Sequence, residues 1–441
     1  MKLHIDGGLP LFGTLAVDSS KNALLPIIAS TILTDGVTVL KNVPRISDIE
    51  NLLKILVSLD IKARFKNGDL EIDTRNIKFN SVSPEIAGKI RGSIFVLGAI
   101  VGRFGQSSVP YPGGCAIGSR PIDLHLQALR DLGINVTEQN DVITCKRKNI
   151  KTSNTTTEVF LDFPSVGATE NLIMASVIGN KRVRIINAAL EPEVEDLCNF
   201  LKSCGAVICG QGTSTIVIQG VKALTATTYT AIPDRINTGS YLIAVAACGG
   251  EVTLTNTIPH HNANLIAKLQ KVGCEIKVDG GNIKIKSPIK NSCHKESKSN
   301  LGFLKSLGCV HTAPYPGFAT DIQSQLAVLQ CKSRGLTTIT ENLFENRFKY
   351  AGELGKLGAK VCVKSKSITI TGVKQLVASS DENSPTVLVA SDLRGGVSLV
   401  LAAICADGKS VIHNAEYIYR GHQDIEKDLV SLGANIIRED G

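Results

Sequence analysis

The chain has no tryptophan, and aromatic residues fill only 4% of its 441 positions. Stacking platforms for single-stranded nucleic acid are built from aromatics, so that class of function is disfavoured. Charge of neither sign dominates: 48 basic residues stand against 40 acidic ones, a net charge of +8. The basic residues are scattered, which fits a few arginines aimed at a small anion better than a nucleic-acid stripe. No apolar run reaches the ~18 residues of a membrane span, and the opening Met1-Lys-Leu-His-Ile-Asp-Gly-Gly lacks the apolar centre of a signal peptide. A soluble cytoplasmic protein is expected, with neither nucleic acid nor membrane as partner.

Metal and nucleotide motifs are also missing. There is no CxxC pair, and the eight histidines show no zinc-ligand spacing. Only His260-His261 cluster locally, and neighbouring histidines tend to face opposite ways, so no metal is expected. The twelve cysteines follow no short-spaced framework, and most sit in apolar runs, as Cys248, Cys331 and Cys405 do. They read as reduced core residues. The glycines from Gly102 to Gly118 lack the spacing of a Walker or dinucleotide loop, which disfavours ATP or nicotinamide chemistry.

What is present is a globular composition, 43% hydrophobic and 20% charged, on a chain too long for one ordinary core. One ending recurs six times: a leucine-bearing helical pattern, then glycine or once aspartate, then an alternating strand. It is seen at Leu56-Val-Ser-Leu-Asp60, Leu129-Arg-Asp-Leu-Gly133, Leu201-Lys-Ser-Cys-Gly205, Leu269-Gln-Lys-Val-Gly273, Leu354-Gly-Lys-Leu-Gly358 and Leu429-Val-Ser-Leu-Gly433. Glycine there suits a left-handed helix end handing over to a strand. The intervals of about 70 to 85 residues mark internal repetition with a period longer than ordinary solenoid repeats.

Each ending is preceded by an apolar, small-residue helix pattern, beginning near Lys21, Arg91, Ala168, Thr238, Asp321 and Arg394. Helices apolar nearly all round are buried on every side. The predicted class is therefore α/β, with three central helices per domain inside a wall of strands and amphipathic helices. Residues 21–232 (units one to three) are expected to form one domain, and 1–20 with 233–441 (units four to six) the second, the chain crossing near Pro233-Asp234. The polar stretch from Ser287 to Ser299 reads as an exposed insertion.

Polar residues gather where these helices start: Lys21-Asn22, Arg91, Ser165, Asp234-Arg235, Asp321, and Asp392 with Arg394. If the helix N-termini aim at one cleft, free N–H groups and added cations favour a multiply charged anion. The alternative is that each is an N-cap or an ion pair. Arg347 and Arg420 follow strands, each at a strand-to-helix crossing typical of ligand sites; the alternative is that Arg347 pairs with Glu345 and Arg420 with Asp424. The loop Tyr111-Pro-Gly-Gly-Cys115-Ala-Ile-Gly-Ser-Arg120-Pro-Ile-Asp-Leu-His125 places a thiol among glycines near a guanidinium, a setting for a nucleophile or proton donor.

That loop resembles the active-site loop of the UDP-N-acetylglucosamine 1-carboxyvinyltransferase family, within the EPSP synthase superfamily. Lys21-Asn22, Pro233-Asp-Arg-Ile236, Thr312-Ala-Pro, Thr320-Asp321, Glu345-Asn-Arg-Phe348, Asp392-Leu-Arg394 and Arg420-Gly421 are similar to the family's motifs in the same order. The resemblance implies a two-domain inside-out α/β barrel built from six repeated units, with the active site between domains. It implies phosphoenolpyruvate and UDP-N-acetylglucosamine as substrates, transfer of the enolpyruvyl group to the sugar 3-hydroxyl with release of phosphate, and a place in peptidoglycan synthesis. Cys115 is the implied general acid and site of a covalent adduct, and Asp321 the implied base. Lys21, Asn22, Arg120, Arg394 and Arg420 are implied at phosphoenolpyruvate. Asn22, Arg91, Arg120, Pro121, Ile122, Asp123, Leu124, Phe163, Pro164, Ser165, Val166, Asp321 and Leu343 are implied at the nucleotide sugar. Such chemistry needs an acid, a base and fixed cations, and no cofactor. Asn237 replaces a usual glutamate, and Gly395 and Val397 replace usual alanines. Shikimate 3-phosphate as acceptor is the nearest rival, opposed by Cys115 and the Arg120-Pro-Ile-Asp segment; a silent binding protein is opposed by Cys115, Asp321 and Lys21 being in place. The sequence sets no oligomeric state.

Overall fold

A computed structural model describes residues 1–78, 93–112, 122–147, 156–289 and 304–440. Two compact units divide them. One takes Met1–Asp18 with Pro233–Gly441, and the other the residues between Ser19 and Ile232.

Each unit is built around three apolar helices. In the second unit these are Lys21–Ser30, Ile94–Phe104 and Val166–Ser176, here the first to third central helices. In the unit holding the chain's ends they are Arg235–Cys248, Gln323–Cys331 and Leu393–Cys405, the fourth to sixth. Every residue of the fifth and sixth is buried, as their lack of a polar face demands. Around each trio lie short sheets of two to four strands with amphipathic helices between them, so helices form the inside and sheets the outside. Two separate apolar cores result, one per unit. The fold is the predicted two-domain inside-out α/β architecture.

The six repeated endings share one backbone state. Asp60, Gly133, Gly205, Gly273, Gly358 and Gly433 all have positive φ, from 61° at Asp60 to 112° at Gly273. Aspartate is among the few side-chain-bearing residues that enter this region readily.

Small residues set the helix spacing. A Cβ on Gly98 would lie 2.5 Å from the Asn171 carbonyl oxygen, and the Gly98 N–H donates to Asn171 Oδ1 at 2.7 Å. The second and third central helices therefore touch backbone to backbone. Gly98→Ala is expected to cost about 1–3 kcal/mol by overpacking, read as a lowered urea midpoint; an unchanged midpoint would show that the crossing can relax.

The N-terminal segment belongs to the unit of the fourth to sixth helices. Strand Lys2–Gly7 pairs antiparallel with both Gly408–His413 and Asn435–Glu439, and Leu11–Ala16 pairs parallel with Gly250–Thr255.

Two expectations need correction. Ser287 is buried, and its hydroxyl donates to the Ala246 carbonyl at 2.9 Å; Leu304 is buried in a strand pairing with Ser333–Arg334. The start of the stretch and the residue at which the described chain resumes are thus anchored in the fold, and residues 290–303, with most of the expected insertion, lie outside the described residues. Cysteine is also less uniformly internal than expected: Cys209, Cys309 and Cys362 are exposed, and seven other described cysteines are buried.

Candidate active site

The strongest charge constellation surrounds Asp321. It sits in a 3-10 turn, Thr320–Ile322, that feeds the fifth central helix. Arg347 reaches its Oδ1 at 2.7 Å and Arg394 its Oδ2 at 3.1 Å. Both arginines are 4% exposed, whereas the aspartate side chain is 29% exposed. Two guanidiniums against one carboxylate leave an excess of positive charge at a helix start, which suits an anionic ligand.

A second carboxylate fixes this geometry. Glu341 is 1% exposed. Its Oε1 accepts from Thr312 Oγ1 at 2.9 Å, Leu343 N at 2.9 Å and Phe344 N at 3.3 Å, and its Oε2 accepts from Thr320 Oγ1 at 2.8 Å. Glu341 thereby ties the turn before Asp321 to the loop that carries Leu343 and Arg347. Ser324 Oγ donates to the Arg394 carbonyl at 3.0 Å, so the fifth helix also holds the start of the sixth. Asp392 caps that sixth helix through the N–H groups of Arg394 and Gly395, and Asp234 caps the fourth through those of Ile236 and Asn237. For these two aspartates the capping alternative describes the side chain.

Arg420 is half-buried at the end of the 3-10 turn Ala415–Arg420, and Asp424 accepts from Lys427 at 2.9 Å. Asn237 Nδ2 donates to the Gly421 carbonyl at 3.4 Å, so the residue departing from the family pattern adjoins the Arg420-Gly421 motif. His260 and His261 do not face opposite ways as expected. They share a 3-10 turn, their rings meeting edge to face at 4.3 Å between centroids. Burial, then the neighbouring His260 and Arg235 charges, push His261 down to about 4.

In the other unit, Lys21 opens the first central helix after the Ser20 cap. Its Nζ lies 2.7 Å from Asp48 Oδ2, with Lys21 8% and Asp48 6% exposed. Asn22 follows on the same turn. Ser165 caps the third central helix, and its N–H donates to the Phe163 carbonyl at 2.7 Å, making a tight bend that leaves Phe163 exposed and Pro164 half-buried before Val166. Ile122 is buried ahead of helix Asp123–Asp131, where Asp123 is exposed and Leu124 half-buried. The His125 ring of that helix lies against Gly167, and its Nδ1 is 3.0 Å from Asn171 Nδ2. Asn171 thus joins helix Asp123–Asp131 to the second and third central helices. Among the described residues no group of three or more histidine, cysteine, aspartate or glutamate side chains suits a metal ion, and no helix is long and apolar enough to cross a membrane.

The chain matches the EPSP synthase (3-phosphoshikimate 1-carboxyvinyltransferase) family over residues 5–429. It is 42% identical over 437 residues to UDP-N-acetylglucosamine 1-carboxyvinyltransferase 2 of Caldanaerobacter subterraneus subsp. tengcongensis, covering 99% of each chain. The chain belongs to the UDP-N-acetylglucosamine 1-carboxyvinyltransferase family. The protein of that name from Elusimicrobium minutum is 40% identical over 440 residues, 99% of this chain and 98% of that one. In fold, the enolpyruvyl transferase NikO from Streptomyces tendae superposes with a TM-score of 0.83 at 23% identity, covering 99% and 98%.

In this member of the carboxyvinyltransferase family, Asp321 and Arg394 are brought together in one unit, with Leu343 tied to the same turn through Glu341, while Lys21 and Asn22 share a turn in the other. Arg91, Cys115, Arg120 and Pro121 lie outside the described residues. Arg347, expected at a strand-to-helix crossing typical of ligand sites with Glu345 as its alternative partner, reaches Asp321. One contributor is not read from the sequence. Asp48 sits among the acidic first-turn residues of helix Ser47–Ser58, where a carboxylate ordinarily reads as a helix-dipole partner.

Proposed function

We propose that this enzyme moves the enolpyruvyl group of phosphoenolpyruvate to the 3-hydroxyl of UDP-N-acetylglucosamine, releasing phosphate, as an early step of peptidoglycan synthesis. The observation that carries the reading is Asp321 held by the buried pair Arg347 and Arg394, in a chain of this family.

The reaction is an addition followed by an elimination. Cys115 delivers a proton to the methylene carbon of phosphoenolpyruvate, and the adjoining carbon becomes oxocarbenium-like. Asp321 takes the proton of the sugar hydroxyl, whose oxygen attacks that carbon to give a tetrahedral adduct. Loss of a methyl proton and of phosphate restores the double bond. Lys21, Asn22, Arg120 and Arg420 hold the phosphate, and Arg394 takes the donor's carboxylate. Arg394 already faces a carboxylate in Asp321, so donor binding exchanges one anion for another and loosens one tie on the base. The nucleotide sugar is held by Asn22, Arg91, Arg120 to Leu124, Phe163 to Val166, Asp321 and Leu343.

Phosphate release from phosphoenolpyruvate tests this reading, measured with UDP-N-acetylglucosamine, with shikimate 3-phosphate and with neither. Release is expected only with the nucleotide sugar, and lower in Cys115→Ala. Turnover with shikimate 3-phosphate would overturn the acceptor, and silence with both from folded protein would favour a binding role.

A further inference from the structure

All three central helices of the unit that carries Asp321 end on cysteine. Cys248, Cys331 and Cys405 are each the last residue of their helix, and none is more than 3% exposed. The Sγ atoms of Cys248 and Cys405 approach to 2.8 Å across 157 positions of chain, and no disulfide joins them. A disulfide is about 2.05 Å long, so an approach of roughly 0.8 Å separates this pair from a bond.

Burial pushes the Cys248 thiol well up. At Cys405 burial also opposes charge, while the contact with Cys248 and the Lys332 ammonium act to lower it. Thiolate, not thiol, is the attacking species. Cys331 lacks such help, and burial pushes it up to about 12.

We propose that Cys248 and Cys405 are a redox-modification site, forming an intramolecular disulfide when a peroxide or a low-molecular-weight disulfide reaches them. One of the two sulfurs, as its thiolate, attacks the oxidant, and the other then displaces the leaving group from it. Two S–H bonds are lost and one S–S bond forms. The two electrons and two protons reduce a peroxide to two waters, or a small disulfide to two thiols. Local opening of the helix ends admits the oxidant. The bond ties the fourth and sixth helices at the ends opposite Asp234 and Arg394, so the cross-link leaves the charged helix starts untouched.

The test is made on the full chain with hydrogen peroxide and, separately, with oxidised glutathione. Remaining thiols are alkylated in denaturant and the peptides mapped by mass. The expected product is one linked peptide pair carrying Cys248 and Cys405. The melting temperature of this unit should rise by about 5–10 °C, since the link closes a long loop. Both the link and the rise are expected to vanish in Cys248→Ala and in Cys405→Ser, and to persist in Cys331→Ala. Recovery of both cysteines as separately alkylated peptides after either oxidant would overturn the proposal, as would pairing of either with Cys331. The wild-type map decides this even where a variant folds poorly.

Discussion

Replacing Asp321 with asparagine is expected to lower kcat for phosphate release by about 10²–10⁴-fold, the usual worth of a positioned proton acceptor. Asparagine keeps the shape, and its Oδ1 can still accept from one of Arg347 and Arg394, which now stand at 2.7 and 3.1 Å, while its Nδ2 is a donor that faces the other. What it loses is the charge. The hydroxyl proton then has no carboxylate to receive it, and two guanidiniums, each 4% exposed, face each other without their counter-ion. The second effect belongs to stability, and a buried ion pair that loses one partner costs about 3–5 kcal/mol. Thermal melts of the variant therefore accompany the kinetics, and kcat is compared below the onset of unfolding. A folded Asp321→Asn protein that keeps kcat within threefold of wild type would remove Asp321 from the proton transfer and leave it an arginine-positioning residue.

Lys21→Met is expected to remove catalysis and to cost about 3–5 kcal/mol of unfolding free energy. The energetic part follows from the 2.7 Å contact with Asp48, because both side chains are nearly enclosed and the surviving carboxylate would stay buried without that cation. Combining Lys21→Met with Asp48→Leu is expected to return most of the stability, as apolar replacement of a whole buried pair often does. Catalysis should not return, since the phosphate of phosphoenolpyruvate still lacks the ammonium. Urea melts and phosphate release separate the two parts. Recovery of turnover in the double variant would make Lys21 purely structural.

The repeat was legible because each copy writes the same short-range physics: an amphipathic helix, a left-handed residue, an alternating strand. Asp60 was legible for the same reason despite lacking glycine, since position in the pattern announced the backbone state. The central helices were legible because small and apolar residues left them no solvated face. Side-chain partnerships across the fold were not. Arg347 and Asp321 are 26 positions apart, and local sequence offers Glu345 as the nearer anion. Lys21 and Asp48 come from different helices, and the register that brings them together is set by packing. Glu341 was overlooked because a single glutamate at a strand end has no motif; only the fold shows four donors converging on it. Ser287 was misread because a hydroxyl beside proline and lysine looks solvated, although one buried carbonyl is enough to draw it inward.

Strand Lys2–Gly7 lies between two strands drawn from the last part of the chain, Gly408–His413 and Asn435–Glu439. A ribosome makes that strand about four hundred residues before its neighbours. The unit spanning residues 19 to 232 has all its own strands and helices in hand midway through synthesis, whereas Leu11–Ala16 waits for Gly250–Thr255 and Lys2–Gly7 waits, edges unpaired, for about four hundred further residues to be made. Domains complete in order of synthesis where their contacts permit it, and pairings this distant along the chain close slowly. The unit bearing Asp321 is thus the one finished last, and the nascent amino-terminal strands are the part of this chain with most reason to need shelter before then.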